Sequence, residues 1–218
     1  MNAVVIGGHT RNIGKTSVMA GLISDLKLFA WTAVKITQYG HGICSRDGEP
    51  CECAPTEHPF ALTEESSPAG QADTSRFLAA GARRSLWLRV RQGQLGDAFG
   101  LLTEALGGDP WVIIESNSIL AFMKPLLCLM VMDSSQRDFK ASAREFVRKA
   151  DALVTIRVRL EQHAWTGLDL RTLDGKPIFT VSARRYTSPE LSGFVRQKLA
   201  AADGALPSAL SPSLQPRP

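Results

Sequence analysis

A chain of 218 residues has room for one α/β domain with a substantial buried core, and it does not require a second domain. Its hydrophobic content of 44% and charged content of 21% are those of a globular protein, which excludes a disordered or fibrous chain. The formal net charge of +4 comes from Lys and Arg spread along the sequence, so it argues against a nucleic-acid platform and only weakly favours anionic ligands.

The apolar runs give no sign of export or membrane insertion. Residues 1–6 lack the basic segment that opens a signal peptide, and the longest apolar run, near 125–132, is too short to span a bilayer. We therefore expect a cytoplasmic protein that has no membrane partner. In that reducing compartment the four cysteines are not expected to form structural disulfides, and Cys128, within an apolar run, is expected to be a small buried side chain.

Hydrophobic periodicity predicts strands and helices that alternate along most of the chain. In chain order the sequence predicts strand 3–7, helix 15–28, strand 30–37, helix 72–82, strand 85–90, helix 95–106, strand 111–115, strand 126–133, helix 142–150, strand 152–158, strand 177–182 and helix 189–201. Because the strands are almost continuously apolar, they indicate a mostly parallel sheet with helices on both faces. The predicted fold class is therefore three-layer α/β.

Two segments lack this alternation. Residues 38–71 are rich in Gly, Pro, Cys and acids without a sustained period, which favours a long functional loop. Residues 205–218 are rich in Pro, Ser and Leu and are expected to form a loose tail. The predicted organisation is a single domain over 1–204, with a Cys-containing loop insertion at about 38–71, followed by the tail.

The strongest functional signal lies between the first strand and the first helix. A loop of this kind points backbone N–H groups at phosphates, delivers Lys15 to the β/γ-phosphates and offers the Thr16 hydroxyl to Mg²⁺. The predicted nucleotide-binding residues are Gly8, His9, Thr10, Arg11, Asn12, Ile13, Gly14, Lys15, Thr16 and Ser17. The common Walker A pattern G-x-x-x-x-G-K-[ST] would place Gly where this chain has His9. A chance Gly-Lys-Thr inside a helix is the alternative, and the flanking strand and helix argue against it.

The loop at 8–16 resembles the G-T-D-T-x-V-G-K-T loop of dethiobiotin synthetases, which group with cobyric-acid synthases and with accessory proteins of molybdopterin-guanine dinucleotide synthesis. Lys35, in Val-Lys-Ile-Thr-Gln-Tyr-Gly, is similar to the Lys of the segment with which dethiobiotin synthetases contact substrate and phosphate. Asp73 opens a stretch similar to the Asp-Thr-x-Arg-x-x-x-Ala-Gly-Ala segment of the molybdopterin accessory proteins. Glu115 ends an apolar strand where the group carries an acid that helps to hold Mg²⁺.

This resemblance covers about 1–185 and implies a P-loop NTPase fold. It implies Mg²⁺ ligands at Thr16, Asp73 and Glu115, and catalytic roles for Lys15, Lys35 and Glu115. Simpler interpretations remain open, since Lys35 could be a strand-end cation and Asp73 a helix N-cap. Glu115 follows a continuous apolar strand and is therefore expected at the carboxyl edge of the sheet, where ligands bind.

The sequence also departs from these relatives. Dethiobiotin synthetases follow their acid with a Gly-rich stretch, whereas Glu115 is followed by Ser116-Asn117-Ser118. We therefore expect a different second substrate and not a dethiobiotin synthetase. The acceptor could be water or a small carboxylate held by Lys35, Ser116 and Asn117. The base is undecided between ATP and GTP, because no Asn-Lys-x-Asp motif is present and residues 181–184 resemble a Ser-Ala-Lys loop only weakly.

Three cysteines gather in the irregular segment. Cys44, Cys51 and Cys53 lie between His41 and His58 and are candidate ligands for Zn or an iron–sulfur cluster. The spacing C-x6-C-x-C matches neither common zinc sites nor ferredoxin runs, so a substrate-covering loop with incidental cysteines is the alternative. Two chains could also contribute cysteines across a homodimer interface, and we expect a homodimer.

Two classes of function fit these features. The first is a Mg²⁺-dependent ATP- or GTP-binding enzyme, a nucleotide hydrolase or ATP-dependent ligase-like enzyme that acts on a small molecule in cofactor biosynthesis. The second is a nucleotide-switched accessory protein that delivers a metal, cluster or cofactor to a client protein. The sequence favours the enzyme without excluding the accessory protein.

Overall fold

The fold was analysed on a computed structural model that describes residues 2–39, 59–156, 165 and 168–203. The strands are β1 (Asn2–Gly8), β2 (Thr32–Tyr39), β3 (Phe60–Glu64), β4 (Arg84–Arg91), β5 (Trp111–Glu115), β6 (Leu127–Met132), β7 (Ala152–Thr155) and β8 (Ile178–Thr180). The helices are α1 (Lys15–Asp25), α2 (Asp73–Ala80), α3 (Leu95–Leu106), α4 (Ala141–Lys149) and α5 (Pro189–Asp203). The described strands form one sheet in the order β3-β4-β2-β5-β1-β6-β7-β8.

The sheet is parallel except for β3, which pairs with β4 in the antiparallel direction. Successive side chains of a strand point to opposite faces, so the apolar run in β1 serves two cores. Val5 belongs to the core that includes α3 and α4, whereas Val4 and Ile6 belong to the core that includes α1, α2 and α5. The predicted three-layer α/β architecture is thus confirmed.

The predicted elements are present, with ends that differ by a few residues, except in the segment treated as one loop. Residues 60–64 form β3, an edge strand whose side chains are half-buried or exposed. Phe60 and Leu62 pack partly against the core beneath α3. The sequence analysis missed β3 because a five-residue edge strand that follows a Gly- and Pro-rich stretch gives little periodicity.

The second strand also runs further than expected. β2 pairs with β4 as far as Tyr39, so Lys35 lies inside the strand and not at its end. It is the pairing with β5 that stops at Lys35, where the register partner is Glu115. The alternative interpretation of Lys35 as a strand-end cation is therefore corrected, since β2 stays paired with β4 for four residues after its pairing with β5 stops.

Cys128 is buried in β6, as expected, and burial together with the negative charge of Asp151 raises the pKa of its thiol to about 12. Cys44, Cys51 and Cys53, with His41 and His58, lie outside the described residues. Within the described ranges no helix is long and apolar enough to cross a membrane.

Candidate nucleotide-binding site

A cleft of about 670 Å³ opens at the carboxyl edge of the sheet. This is the edge at which ligands bind in open parallel α/β sheets, because the loops that follow adjacent strands diverge there. The phosphate-loop residues that line it are Gly8, Thr10, Arg11, Asn12, Ile13, Gly14, Lys15, Thr16 and Ser17. Lys35, Asp73 and Glu115 line the same cleft. The structure thus brings together every predicted nucleotide and Mg²⁺ residue except His9.

The phosphate loop turns into α1 at Gly14. The backbone of Gly14 is left-handed, with φ of 88°, and a Cβ at this position would lie 2.7 Å from Cδ1 of Ile156. Only glycine meets both conditions, which explains the Gly before Lys15. The carbonyl of Gly14 accepts the first helical bond, from Val18 N at 2.9 Å, so the helix N-terminus is part of the cleft wall.

Lys15 folds back over this loop and donates from Nζ to the carbonyl oxygen of Thr10 at 2.8 Å. Burial lowers the pKa of Lys15, an effect that the positive charges of Lys35 and Arg11 reinforce and that Glu115 and Asp73 oppose. The ammonium therefore stands in a predominantly desolvated site, where an anionic ligand would stabilise its charge.

Three oxygen-bearing side chains surround the ammonium of Lys35. Nζ lies 2.8 Å from Oε1 of Glu115, 2.8 Å from Oδ2 of Asp73 and 3.3 Å from Oγ1 of Thr16. The Thr16 hydroxyl itself lies 2.8 Å from Oε2 of Glu115. We call Thr16, Asp73 and Glu115 the three-oxygen site. Asp73 is the first residue of α2, so it is not the N-cap that the sequence left open.

Lys35 and the carboxylates of the three-oxygen site stabilise one another's charges. Burial works against the charge on Lys35, but Glu115 and Asp73 outweigh it and raise the pKa of the ammonium. Burial likewise opposes the charge on Asp73, yet Lys35 and the Thr16 hydrogen bond lower the pKa of that carboxyl. Two carboxylates and a hydroxyl that converge on a positive charge are the hard oxygen donors that Mg²⁺ prefers. The donor set therefore fits Mg²⁺, with the Lys35 ammonium as its stand-in.

Asn117 supports the phosphate loop from below. Its Oδ1 accepts from Gly8 N at 2.9 Å and its Nδ2 donates to Gly8 O at 2.9 Å. Both ends of the amide are therefore used to fix the end of β1. Ser116 accepts from Ile119 N at 3.3 Å through Oγ. Both residues line the cleft, and the bonds to Gly8 give Asn117 a structural role, while its contact with an acceptor remains a prediction.

His9 lies beneath the loop and has no exposed surface. Its Nε2 accepts from Asp133 N at 3.0 Å, and its Nδ1 lies 2.8 Å from the carbonyl of Asp138. A carbonyl can only accept and a backbone amide can only donate, so the ring carries its proton on Nδ1. Burial, with the positive charge of Lys15, lowers the pKa of His9, which agrees with a neutral ring.

The structure adds residues that the sequence analysis did not select. Arg76 of α2 donates from Nη2 to Oγ of Ser17 at 2.9 Å and lies 3.4 Å from Oδ1 of Asp73. Arg76 is the Arg of the Asp-Thr-x-Arg segment, for which the resemblance implied a role of Asp73 alone. Further lining residues are Gln38, Gln92, Lys140, Ser142 and Tyr186. Gln38 lies in β2, and the others come from loops or the start of α4, which carry no motif.

No protein-family model and no curated protein matches this sequence. Among solved structures, the chain is similar to HypB from Helicobacter pylori in complex with nickel, with a TM-score of 0.50 at 15% identity over 91% of this chain and 87% of that one. An "apo" form of LpxK from Aquifex aeolicus in complex with ATP aligns with a TM-score of 0.45 at 14% identity, over 83% of this chain and 53% of that one.

Likeness at such low identity shows the fold alone. The chain has the P-loop fold, a three-layer α/β architecture with a mostly parallel sheet.

Proposed function

We propose that this protein binds Mg²⁺ with ATP or GTP in the cleft and acts as a nucleotide hydrolase or ligase-like enzyme on a small molecule of cofactor biosynthesis. The observation that supports the proposal best is the three-oxygen site closed around Lys35, next to Lys15 and the backbone of the phosphate loop. Within this proposal the resemblance to dethiobiotin synthetases and the homodimer remain predictions.

Each part of the cleft has a task in this proposal. When nucleotide binds, the Lys15 ammonium leaves the Thr10 carbonyl and contacts the β/γ-phosphates. In that position a desolvated ammonium stabilises the charge that develops during phosphoryl transfer. Thr16, Asp73 and Glu115 would hold Mg²⁺, which supplies positive charge to the β- and γ-phosphoryl oxygens when bound. Arg76 keeps Asp73 and Ser17 in place.

Lys35 adopts a second task once nucleotide is bound. Its ammonium is at the junction between the phosphate loop and the wall formed by Thr37, Gln38 and Gln92. That wall is rich in amide and hydroxyl groups, which suit a polar acceptor more than an apolar one. A Lys at this junction can hold the anionic oxygen of the acceptor in line with the terminal phosphate.

Calorimetric titration of ATP and GTP with Mg²⁺ tests the proposal. We expect micromolar affinity that falls about 100-fold in Lys15→Ala, because a hydrogen bond to a charged group contributes about 1.5–3 kcal/mol. Lys198→Ala is the control, since Lys198 lies on α5, over the Phe194 ring and outside the cleft. Equal affinities in folded wild type and Lys15→Ala would refute the assignment.

The alternative is a nucleotide-switched accessory protein that delivers a metal or cluster. It is favoured by the fold likeness to HypB, whose structure contains nickel, and by the gathering of Cys44, Cys51 and Cys53 in the sequence. Elemental analysis of anaerobically purified wild type and a Cys51→Ser, Cys53→Ser variant tests it. Near-stoichiometric Ni, Zn or Fe that the double variant lacks supports delivery. Absence of metal from both proteins, or equal amounts in both, would argue against it.

A further inference from the structure

We propose that Lys140 and Arg11 form a second anion position on the wall of the cleft, in addition to the three-oxygen site, and that His9 positions Lys140 there. The position would bind a phosphoryl or carboxylate group. The inference rests on the proposed function, because the nucleotide and its acceptor are the sources of such a group.

The first step concerns the bonds by which His9 ties residues 133–140, the segment after β6, to the phosphate loop. We call this set of bonds the clamp. His9 holds this segment through both ring nitrogens, by the bonds to Asp133 N and Asp138 O. Its carbonyl also accepts from Lys140 N at 2.9 Å. Thr10 donates to Oδ2 of Asp138, which adds a side-chain bond to the same segment. A single residue of the phosphate loop therefore fixes the backbone of 133–140 at three points.

Aromatic packing stiffens the clamp. The His9 ring stacks on Phe139 with centroids 5.4 Å apart and meets Trp165 edge-on at 5.5 Å. Trp165 in turn donates from Nε1 to the carbonyl of Gln136 at 3.0 Å. Replacement of this buried neutral His by an apolar residue would leave the Asp133 amide and the Asp138 carbonyl without these bonds. These contacts account for a histidine where the usual pattern has glycine.

The second step concerns the positive charge of Lys140, whose backbone the clamp holds beside the cleft. Lys140 lines the cleft together with Arg11 and Lys15. Burial, and then the positive charges of Arg11 and Lys15, lower the pKa of Lys140 to about 8, with Asp138 opposing. In the described part of the chain neither Lys140 nor Arg11 forms an ion pair, and the Asp138 carboxylate accepts from Thr10. Arg11, Lys15 and Lys140 therefore bring three cations to one cleft, and within the described residues neither Arg11 nor Lys140 has an ion-pair partner.

The third step is the contrast between the two walls. The wall with the three-oxygen site carries its own counter-charges, because Lys35 pairs with Asp73 and Glu115. The wall with Arg11 and Lys140 does not, so it gains most from an anion. Phosphoryl and carboxylate oxygens both meet this need, since Arg offers a planar fork of donors and Lys a mobile point charge. The terminal phosphate of the nucleotide and an anionic group of the acceptor are the two sources.

The test compares Lys140→Ala with Lys149→Ala, which removes the same charge at the other end of α4, where Lys149 pairs with Glu145. Titrations use Mg²⁺ with a non-hydrolysable nucleoside triphosphate and with the diphosphate. If the terminal phosphate is the ligand, Lys140→Ala weakens triphosphate binding about tenfold or more and leaves diphosphate binding unchanged. Lys140→Arg should restore most of the loss.

If the acceptor is the source, both nucleotides bind Lys140→Ala as they bind the wild type. Inorganic phosphate or succinate, titrated into the wild-type triphosphate complex, then binds about tenfold more tightly than to the Lys140→Ala complex. Equal behaviour of Lys140→Ala and Lys149→Ala in all titrations overturns the inference, as does an equal loss for di- and triphosphate. A wild type that binds no nucleotide would instead refute the proposed function.

The positioning role of His9 has its own readout. His9→Phe keeps an aromatic ring and removes both ring bonds, so it should reproduce the selective loss of Lys140→Ala, and the double variant should lose no more. Additive losses would overturn the role. If His9→Phe does not fold, Trp165→Phe removes the bond to Gln136 away from the cleft and is expected to show a smaller loss of the same selectivity. No change in Trp165→Phe would then count against the clamp.

Discussion

Lys35 and Glu115 are register partners of adjacent parallel strands, and Nζ of Lys35 lies 2.8 Å from Oε1 of Glu115. The same ammonium contacts Asp73 of α2 at 2.8 Å, so two carboxylates share one cation. Glu115 is 5% exposed, and Lys35 is its ion-pair partner. Lys35 therefore fills the position that we propose for a divalent cation.

This arrangement predicts that Lys35→Met raises the affinity of the nucleotide-free protein for Mn²⁺, used as a spectroscopic substitute for Mg²⁺. Without the ammonium, the Asp73 and Glu115 carboxylates lack a counter-charge and favour a divalent ion. We expect affinity about tenfold or more above wild type, measured by electron paramagnetic resonance of free Mn²⁺. Lys35→Met, Glu115→Gln should lose the gain. Equal Mn²⁺ affinity in wild type and Lys35→Met would contradict this prediction.

Thermal unfolding gives a second measurement on the same variant. Loss of one partner of a buried ion pair costs about 3–5 kcal/mol, and because Asp73 is 36% exposed we expect a smaller loss of about 2 kcal/mol. Mn²⁺ should restore part of this stability in Lys35→Met and have little effect on the wild type. A variant as stable as wild type without metal would mean that the pair contributes little.

Glu115→Gln should retain the fold and nucleotide binding but lose most Mg²⁺-dependent turnover. The amide keeps the shape of the side chain and can still contact Thr16, while it removes the charge that favours the ion. Turnover is measured against Mg²⁺ concentration in both proteins. Superimposable curves would assign Glu115 a structural role only.

Gly14→Ala should destabilise the protein by about 1–3 kcal/mol and weaken nucleotide binding, because a side chain at φ of 88° is strained. The new Cβ would also meet Cδ1 of Ile156 at 2.7 Å and Cε1 of Tyr186 at 2.9 Å. Gly193→Ala is the matched control, since Gly193 is inside α5 with open space around its Cβ position. It should stabilise the protein by about 0.5–1 kcal/mol. Chemical denaturation of both variants decides the matter.

The sequence located the phosphate loop, Glu115 and most elements because each depends on local information. A continuous apolar run ending in an acid predicts a strand end, and Gly-Lys-Thr before an amphipathic run predicts a helix that begins at a phosphate loop. Asp73 and Lys35 needed the additional resemblance to known families. Their pairing with Glu115 could not be read locally, because it depends on which strands are neighbours in the sheet.

Other contacts could not be predicted from the sequence for the same physical reason. Asn117 bonds to Gly8, and His9 bonds to the segment before α4, both across more than 100 residues of sequence. A lone Asn or His carries no periodic signal, so its partners emerge only when the chain has folded. Lys140 is the clearest case, since its role depends on that clamp and on its nearness to Arg11.

Triphosphate affinity should fall as the pH rises through about 8, the pKa that burial, Arg11 and Lys15 impose on Lys140 in the ligand-free protein. Below that pH the ammonium is already charged and an anion binds without proton uptake. Above it, Lys140 is neutral in the free protein and must take up a proton on binding, so affinity falls by up to about tenfold per pH unit until the pKa of the complex is reached.

Asp138 and Lys15 also face this ammonium, and the pKa of Lys15 is itself lowered, so the pH profile of the wild type alone does not isolate Lys140. Lys140→Arg does, because a guanidinium stays protonated throughout the range. Calorimetry between pH 7 and pH 9 in buffers of different ionisation enthalpy measures both affinity and proton uptake. We expect the wild type to take up a fraction of a proton near pH 8.5 that Lys140→Arg does not. Identical pH profiles for the two proteins would place the terminal phosphate away from Lys140.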